Sequence, residues 1–497
     1  MSGAKRRFSA SVTIQLAILI LVIGLLVLSP SVYADTTYWA KSYGGADRDT
    51  AFAVEQTSDL GYLLVGTTSS FGAGRVDVWV LKLSASGSVE WQKTYGGAGE
   101  DVAMSAHQTL DGGYIVAGYT ASFGDPDYDM WVLKLNSVGG IIWEYAYGAD
   151  NQEFASFVEQ TNDGGYILGG RTNSIAGSAP DFWALKLDSS GVAMWDRTYS
   201  LDADRRIEAI HQTSDNGYIL AGTTSSGTSS VAWVIKTDVN GNIVWKRTYD
   251  PGLGADVEEI QVTSDGGYVL IAEALTAGGD QDFWVLKLKS NGDIDWERRY
   301  GGNGEEDAQP IRQTSDGGYI MAGETRSFGA GGGDVWVVKL NQNGEIAWER
   351  TYGGAGDDEA ISIDVTSDGG YIVAGDTTSF GAGLTDMWVL RIDSSGNIRD
   401  CLPIGSSHAN VVDTHSTIVN TPGTVSSISE VRTVTHATIA PTSAIINSQC
   451  FENRASYGMP VGGFMEPVNK LTVYASYLAL FGIVAAVAII VWKRPEN

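Results

Sequence analysis

The sequence is poor in cysteine, in proline and in positive charge. Two cysteines among 497 residues cannot build a disulfide-dense scaffold or a cysteine-rich zinc site. Eleven prolines beside 62 glycines and 15 tryptophans exclude a proline-rich disordered chain. With 32 Lys+Arg against 59 Asp+Glu the net charge is −27, which argues against nucleic acid as a partner, because phosphate binding needs a basic surface. Histidine is also scarce, with five in the chain. No nucleophile-elbow or Ser-His-Asp motif accompanies them.

Both ends carry apolar runs. Lys5, Arg6 and Arg7 precede the apolar stretch Val12 to Leu28. Ser29-Pro30 and then Val32-Tyr33-Ala34 follow, so residues 1–34 read as an export signal cleaved after Ala34, with an uncleaved anchor as the alternative. Leu471 to Trp492 is 22 residues without a charge, long enough for a membrane-spanning helix. Lys493 and Arg494 follow at once, which predicts a cytoplasmic tail over 493–497. The expected setting is the cell membrane, with a single C-terminal pass and everything between the two runs outside.

Internal periodicity sets the fold. Fourteen of the tryptophans fall into two series, Trp39, Trp91, Trp143, Trp195, Trp245, Trp296, Trp348 and Trp79, Trp131, Trp183, Trp233, Trp284, Trp336, Trp388, with steps of 50 to 52 residues. Each unit has four short runs rich in β-branched and aromatic residues, bounded by Gly, Asp and Asn. The second and third runs join through "SDGGY" or a variant, whose Asp-Gly suits a tight hairpin. Four antiparallel strands repeated seven times predict an all-β, seven-bladed β-propeller over 35–400. No tryptophan follows the seventh unit near 400, where the sequence reads Ile398-Arg399-Asp400, so the strand near Tyr38 to Tyr43 is expected to complete the last blade. Pro310 lies in the second run and cannot donate to a ladder, which marks that run as an edge, here the innermost strand lining the channel.

The pattern "DGGYIVAGxT … DxWVxKLxxxGxxxW" resembles the tandem propeller repeats of bacterial and archaeal surface proteins, over about residues 36–400. The stretch "PVGGFMEPVNKLTVYASYLALFGIV" resembles the membrane anchors of archaeal surface proteins. These resemblances imply architecture and setting; neither implies one activity.

Chain direction places the longer loops on one face of the ring and the tight turns on the other, and the longer loops mark the expected binding face. Two positions vary freely between units. One, near the long-loop end, is Thr67, Tyr119, Arg171, Thr223, Glu273, Glu324 and Asp376, the ligand-face candidates. The other precedes "QT" in the second run and is expected to ring the channel: Glu55, His107, Glu159, His211, Gln261, Arg312 and Asp364. The recurrent lysines of "WVxKL" read as blade-packing residues. Acidic residues recur in the long loops, and Asp49, Asp101, Asp204, Asp256, Asp307 and Asp358 are candidate ligands for structural calcium, though no D-x-D-x-D-G spacing is present. No organic cofactor is implied.

Residues 401–470 are expected to form a Thr/Ser-rich β or stalk region. Within it, residues 408–449 have a loose seven-residue period, but β-branched residues without a leucine seam argue against a coiled coil. Cys401 and Cys450 bracket this stretch and are expected to pair in an oxidising exterior. The functional expectation is a surface binding, adhesion or structural interaction module with a protein or glycan ligand. The alternative is an exported hydrolase acting on polysaccharide through two carboxylates of the propeller face.

Overall fold

The computed structural model describes residues 38–398, except 125–126, 150, 175–179, 201–204 and 227–228, together with the backbone of six short strands between 410 and 448. The leader, Asp204, both cysteines and the whole of 451–497 lie outside the described residues. No helix among the described residues is long and apolar enough to cross a membrane.

Seven four-stranded antiparallel sheets follow one another as blades. In blade 1 the order from the axis outward is Asp49–Gln56, Tyr62–Thr68, Asp77–Leu83 and Val89–Gly96. Blade 7 takes its outer strand from the N-terminus. Trp39–Gly44 pairs antiparallel with Asp386–Ile392, Trp39 opposite Arg391 and Tyr43 opposite Met387, so the ring closes as the repeat predicts. The strand containing Pro310 is innermost in blade 6, and Pro310 falls where the register slips between Ala308 and Ile311. A bulge on the channel edge accommodates the missing N–H.

The two tryptophan series have separate tasks. Those of the third strands are almost completely buried, Trp336 at 0% exposure, and build the cores between blades. Those of the outer strands lie against the next blade's turn glycine. A Cβ on Gly292 would come within 3.1 Å of the Trp245 ring, and φ there is +81°. Beside each such tryptophan a buried tyrosine hydroxyl donates to that same glycine's carbonyl: Tyr95 to Gly139 at 2.7 Å, Tyr249 to Gly292 at 2.6 Å, and Tyr43 to Gly87 at 2.7 Å across the closure. The outer strand of one blade is thus clasped to the turn of the next, all round the ring.

The recurrent lysines fasten the tight turns. Lys134 Nζ lies 2.9 Å from Asp111 and Lys236 Nζ 2.9 Å from Asp215. In blade 7 Arg391 takes the same place against Asp368 at 2.6 Å. Each of these Asp side chains also accepts from a Thr hydroxyl and a Gly N–H in its own turn, as Asp111 does from Thr109 and Gly113.

Within the 401–470 region the described residues are short β-strands between 410 and 448. Six strands begin at 410, 417, 424, 431, 438 and 445, and each adds to the outer edge of a blade. Asn410–Asp413 pairs with blade 5, and the next four pair with blades 4, 3, 2 and 1 in turn. Ile445–Ser448 pairs with the closure strand of blade 7. The seven-residue period is therefore one blade per repeat. A four-residue strand has no stability of its own, but the outer strands present open rows of N–H and C=O that it can join. Among the described residues, the outer strand of blade 6, Ile346–Tyr352, gains no fifth strand.

Candidate functional site

The long-loop mouth of the channel is built from two neighbouring positions in every blade. The ligand-face candidates stand next to the end of the second strand. Each is paired across the ladder with the second residue of the inner strand: Thr67 with Thr50, Tyr119 with Val102, Arg171 with Phe154, Thr223 with Arg206, Glu273 with Asp256, Glu324 with Asp307 and Asp376 with Glu359. Directly opposed residues lie about 5 Å apart, so each pair acts as a unit. The inner partners Phe154 and Glu359 were missed in the sequence. Their signal is the same unit-to-unit variability, one strand earlier.

Ring closure sorts these pairs into two unlike halves. Blades 2 and 3 carry an aromatic group: Tyr119 packs edge-on against Tyr128 at 5.3 Å and against Phe154 at 4.9 Å, with the Arg171 guanidinium 4.4 Å over the Phe154 ring. On the far side, blades 5, 6 and 7 each supply a pair of carboxylates. Arg326 engages this crescent directly, 2.7 Å from Glu324, and also lies 3.3 Å from Asp357.

Burial and neighbouring negative charge both disfavour the ionised form of a carboxyl. Burial, then the hydrogen bond and charge of Asp307, push Glu273 up to about 9. Burial, then the charges of Asp307, Asp376 and Glu324, push Glu359 up to about 8. Burial lifts Asp376 to about 7 against the Ala51 N–H and the Thr50 hydroxyl. Burial also raises Glu324, against the charge of Arg326.

The channel candidates occupy the opposite, tight-turn end of the inner strands, where they bond mainly to one another. Glu159 meets His211 Nδ1 at 2.7 Å, His211 Nε2 lies 3.9 Å from Glu259, and Glu259 is bonded to Arg312. Glu55 lies 3.4 Å from His107 Nδ1. Several also accept backbone N–H groups from the next inner strand: Glu55 from Gln108 at 2.8 Å, Gln261 from Gln313 at 2.7 Å, and Asp364 from Gln56 at 3.0 Å. The network stitches the blades together at the axis, beside a cavity of about 170 Å³ lined in part by His107, Glu208, Glu259 and Arg312.

The calcium candidates fall into two places. Asp49, Asp101 and Asp358 are fully buried at the start of inner strands. There Asp49 accepts from the Gly45 N–H at 2.7 Å, from Ser70 at 2.8 Å and from Thr68, and Asp101 and Asp358 repeat the arrangement. Asp256 and Asp307 belong to the crescent. Among the described residues no group of three or more His, Cys, Asp or Glu side chains is arranged to hold a metal ion.

These environments set the pH dependence of stability. A carboxyl whose folded pKa exceeds its unfolded value of about 4 binds more protons when native, so its effect on stability worsens as pH rises through that interval. Glu273, Glu359 and Asp376 behave so, as does Asp282, raised to about 6 by burial and by Glu306. His107 adds the same trend: burial opposes its charge, but the hydrogen bond and charge of Glu55 prevail, and this stabilisation is lost above about pH 6.5. The turn carboxylates act oppositely. Burial opposes ionisation of Asp111 and Asp215, yet their Thr, Lys and Gly partners hold both down to about 2, so that contribution is lost between about pH 4 and 2. Thermal melts across pH should therefore peak near about pH 4–5 and decline toward pH 8. A midpoint that climbs steadily from pH 5 to 8 would contradict this reading of the crescent.

No protein-family model and no curated protein matches the sequence. Among solved structures, puromycin hydrolase superposes with a TM-score of 0.43 at 12% identity, over 74% of this chain and 55% of its own. Sqt1 from Chaetomium thermophilum gives 0.43 at 13%, over 74% and 87%. The periplasmic gluconolactonase PpgL of Pseudomonas aeruginosa gives 0.41 at 14%, over 72% and 99%. The chain thus spans little more than half of the puromycin hydrolase. The propeller assignment rests on the seven blades themselves.

Proposed function

We propose that this chain is a binding module of the cell surface, exported by its leader, tethered through Leu471 to Trp492, and taking its ligand at the long-loop mouth. The observation that carries the reading is the division of that mouth into an aromatic half around Tyr119 and Phe154 and an acidic half around Glu273, Glu324 and Asp376. Aromatic faces stack on the apolar faces of sugar rings, and carboxylates bind ammonium and hydroxyl groups. A glycan carrying free amino groups satisfies both halves. The leader, the terminal apolar run and the resemblance to archaeal and bacterial surface repeats support the setting.

The test is a glycan array probed with the purified full chain, comparing amino-sugar, N-acetylated and neutral glycans. Amino-sugar glycans should be retained, and Tyr119→Ala or Glu324→Gln should weaken retention at least about tenfold, which is about 1.4 kcal/mol. Equal binding by these variants, or no binding by the parent, would reject the site. One observation favours a hydrolytic reading: burial and Asp307 push Glu273 at the mouth up to about 9, and a carboxyl raised in this way is the kind that serves as general acid at a glycosidic bond. Release of reducing ends from a retained glycan, abolished in Glu273→Gln, would establish it. Retention without release leaves binding alone.

A further inference from the structure

On the tight-turn face, neighbouring blades are bridged by a glutamine at the end of the inner strand. Its amide oxygen accepts a backbone N–H from the turn of the preceding blade. Ser58 donates to Gln108 at 2.7 Å, Leu110 to Gln160 at 2.8 Å and Asn162 to Gln212 at 2.8 Å. Ser264 donates to Gln313 at 2.7 Å, and Ser367 to Gln56 at 2.7 Å across the closure. At the remaining two junctions a valine ends the inner strand instead, Val262 in blade 5 and Val365 in blade 7.

Val262 cannot accept a hydrogen bond. The N–H of Ser214, the corresponding donor in blade 4, therefore has no partner among the described residues. A cavity of about 310 Å³ opens here, lined by Ser214, Val244, Trp245, Val262 and Tyr268 among others. Two further polar groups on its lining lack protein partners among the described residues. The Trp245 indole N–H makes no hydrogen bond, whereas Trp348, between blades 6 and 7, donates to Ser394 O at 3.1 Å. Tyr268 is 3% exposed, and its hydroxyl is unpaired as well. Burial and the charge of Asp215 push that hydroxyl up to about 12, so it keeps its proton.

These groups define a ligand. An N–H that receives a carboxamide oxygen at five other junctions calls for an amide oxygen here. Val262 and the exposed Val244 offer an apolar seat next to it. The Trp245 ring, 6.1 Å from Tyr268 and edge-on to it, gives an aromatic wall of the kind that sugar rings pack against. Asp215 is paired with Lys236 at 2.9 Å but its side chain is still 64% exposed, so it can accept from hydroxyls. An amide, a methyl beside it and a hydroxylated ring with an apolar face are the parts of an acetamido sugar. The volume lies near the lower end of the roughly 300–1,000 Å³ of small-ligand clefts, which suits one residue rather than a chain.

We propose that the groove between blades 4 and 5 binds a single N-acetylhexosamine residue. Its acetamido oxygen takes the Ser214 N–H in place of the glutamine, its methyl lies against Val262, and its ring lies against Trp245. The site is at the opposite end of the inner strands from the long-loop mouth and does not depend on the function proposed there.

The test is saturation-transfer NMR on the purified full chain with the methyl glycosides of N-acetylglucosamine, glucosamine and glucose. Saturation of the acetyl methyl is expected, and the two glycosides that lack the acetyl group should bind at least about tenfold more weakly. Val262→Gln installs the side chain that five other junctions carry and should cut binding at least about tenfold. Ser214→Pro removes only the unpaired donor. Ser214 is the first inner residue of a turn closed by Asn216 N–H to Thr213 O at 2.9 Å, a position that proline suits. It should weaken binding about fivefold, the weight of one hydrogen bond. Tyr119→Ala at the mouth should change nothing. No saturation in the parent, equal binding of the glucose glycoside, or unchanged binding in either folded groove variant would overturn the site. Loss of binding in Tyr119→Ala alone would move the sugar to the mouth and reject the groove.

Discussion

Arg312→Met is expected to destabilise the propeller by about 3–5 kcal/mol, the range seen when one partner of a buried ion pair is removed. The Arg312 guanidinium is bonded to Glu259, whose side chain is only 7% exposed. Glu259 also accepts the Ile311 N–H at 3.1 Å, so it ties blade 5 to blade 6 as well as balancing charge. Burial works against the Arg312 cation, but Glu259, Asp364 and Glu55 hold it charged more firmly than usual. Without it, Glu259, Asp364 and Glu55 all lose the cation whose charge they share. Urea denaturation at pH 7 followed by tryptophan fluorescence measures the loss. Adding Glu259→Gln should recover part of it, since the amide oxygen can still accept the Ile311 N–H. A double variant no more stable than Arg312→Met alone would show that the charge pairing is not the cause.

The second large effect is expected at the closure. Trp39→Ala and Tyr43→Ala should each cost about 3 kcal/mol or more, from lost burial and the cavity left behind. Tyr43 is fully buried, donates to Gly87 O at 2.7 Å, and belongs to the one strand that joins the two ends of the propeller. The same substitutions at Trp195 and Tyr199 disturb an equivalent clasp, from Tyr199 to Gly241 at 2.8 Å, within continuous chain. Hydrogen exchange tells the two apart. Loss at the closure should quicken exchange in the third strand of blade 7, Asp386–Ile392, and in the first inner strand, Asp49–Gln56. Loss at Tyr199 should act around blades 3 and 4. Identical exchange maps for the two sites would mean that the N-terminal strand is not a lock.

For 401–470 the sequence offered a β region or a stalk but not where its strands would pair. Its heptad rhythm was visible, and its poor fit to a coiled coil was correctly read from the β-branched residues. Its destination was not visible, because a four-residue strand has no partner in its own neighbourhood. Thr417–Asn420 pairs with a strand around Arg247, about 170 residues earlier. The calcium candidates failed to form one class for a related reason. A one-residue offset separates Asp358, locked by Thr377 and Ser379, from the position of Asp307 at the mouth, since successive strand residues face opposite ways.

Local chemistry alone determined the blade. Tight turns with Asp and Gly, alternating β-branched runs and two tryptophans per unit specify four strands whatever surrounds them, because turn geometry and strand periodicity act over a few residues. The number of blades and the N-terminal closure follow from counting those units. Which side chains become neighbours around the axis was decided only by the closed ring. Glu259 and Arg312 are 53 residues apart, and Asp364 meets the Gln56 N–H across 308. The division of the mouth into an aromatic and an acidic half exists only once the seven blades stand in a circle. Side chains on separate blades then share one small volume, and burial and mutual repulsion shift the proton affinities that no single repeat could set.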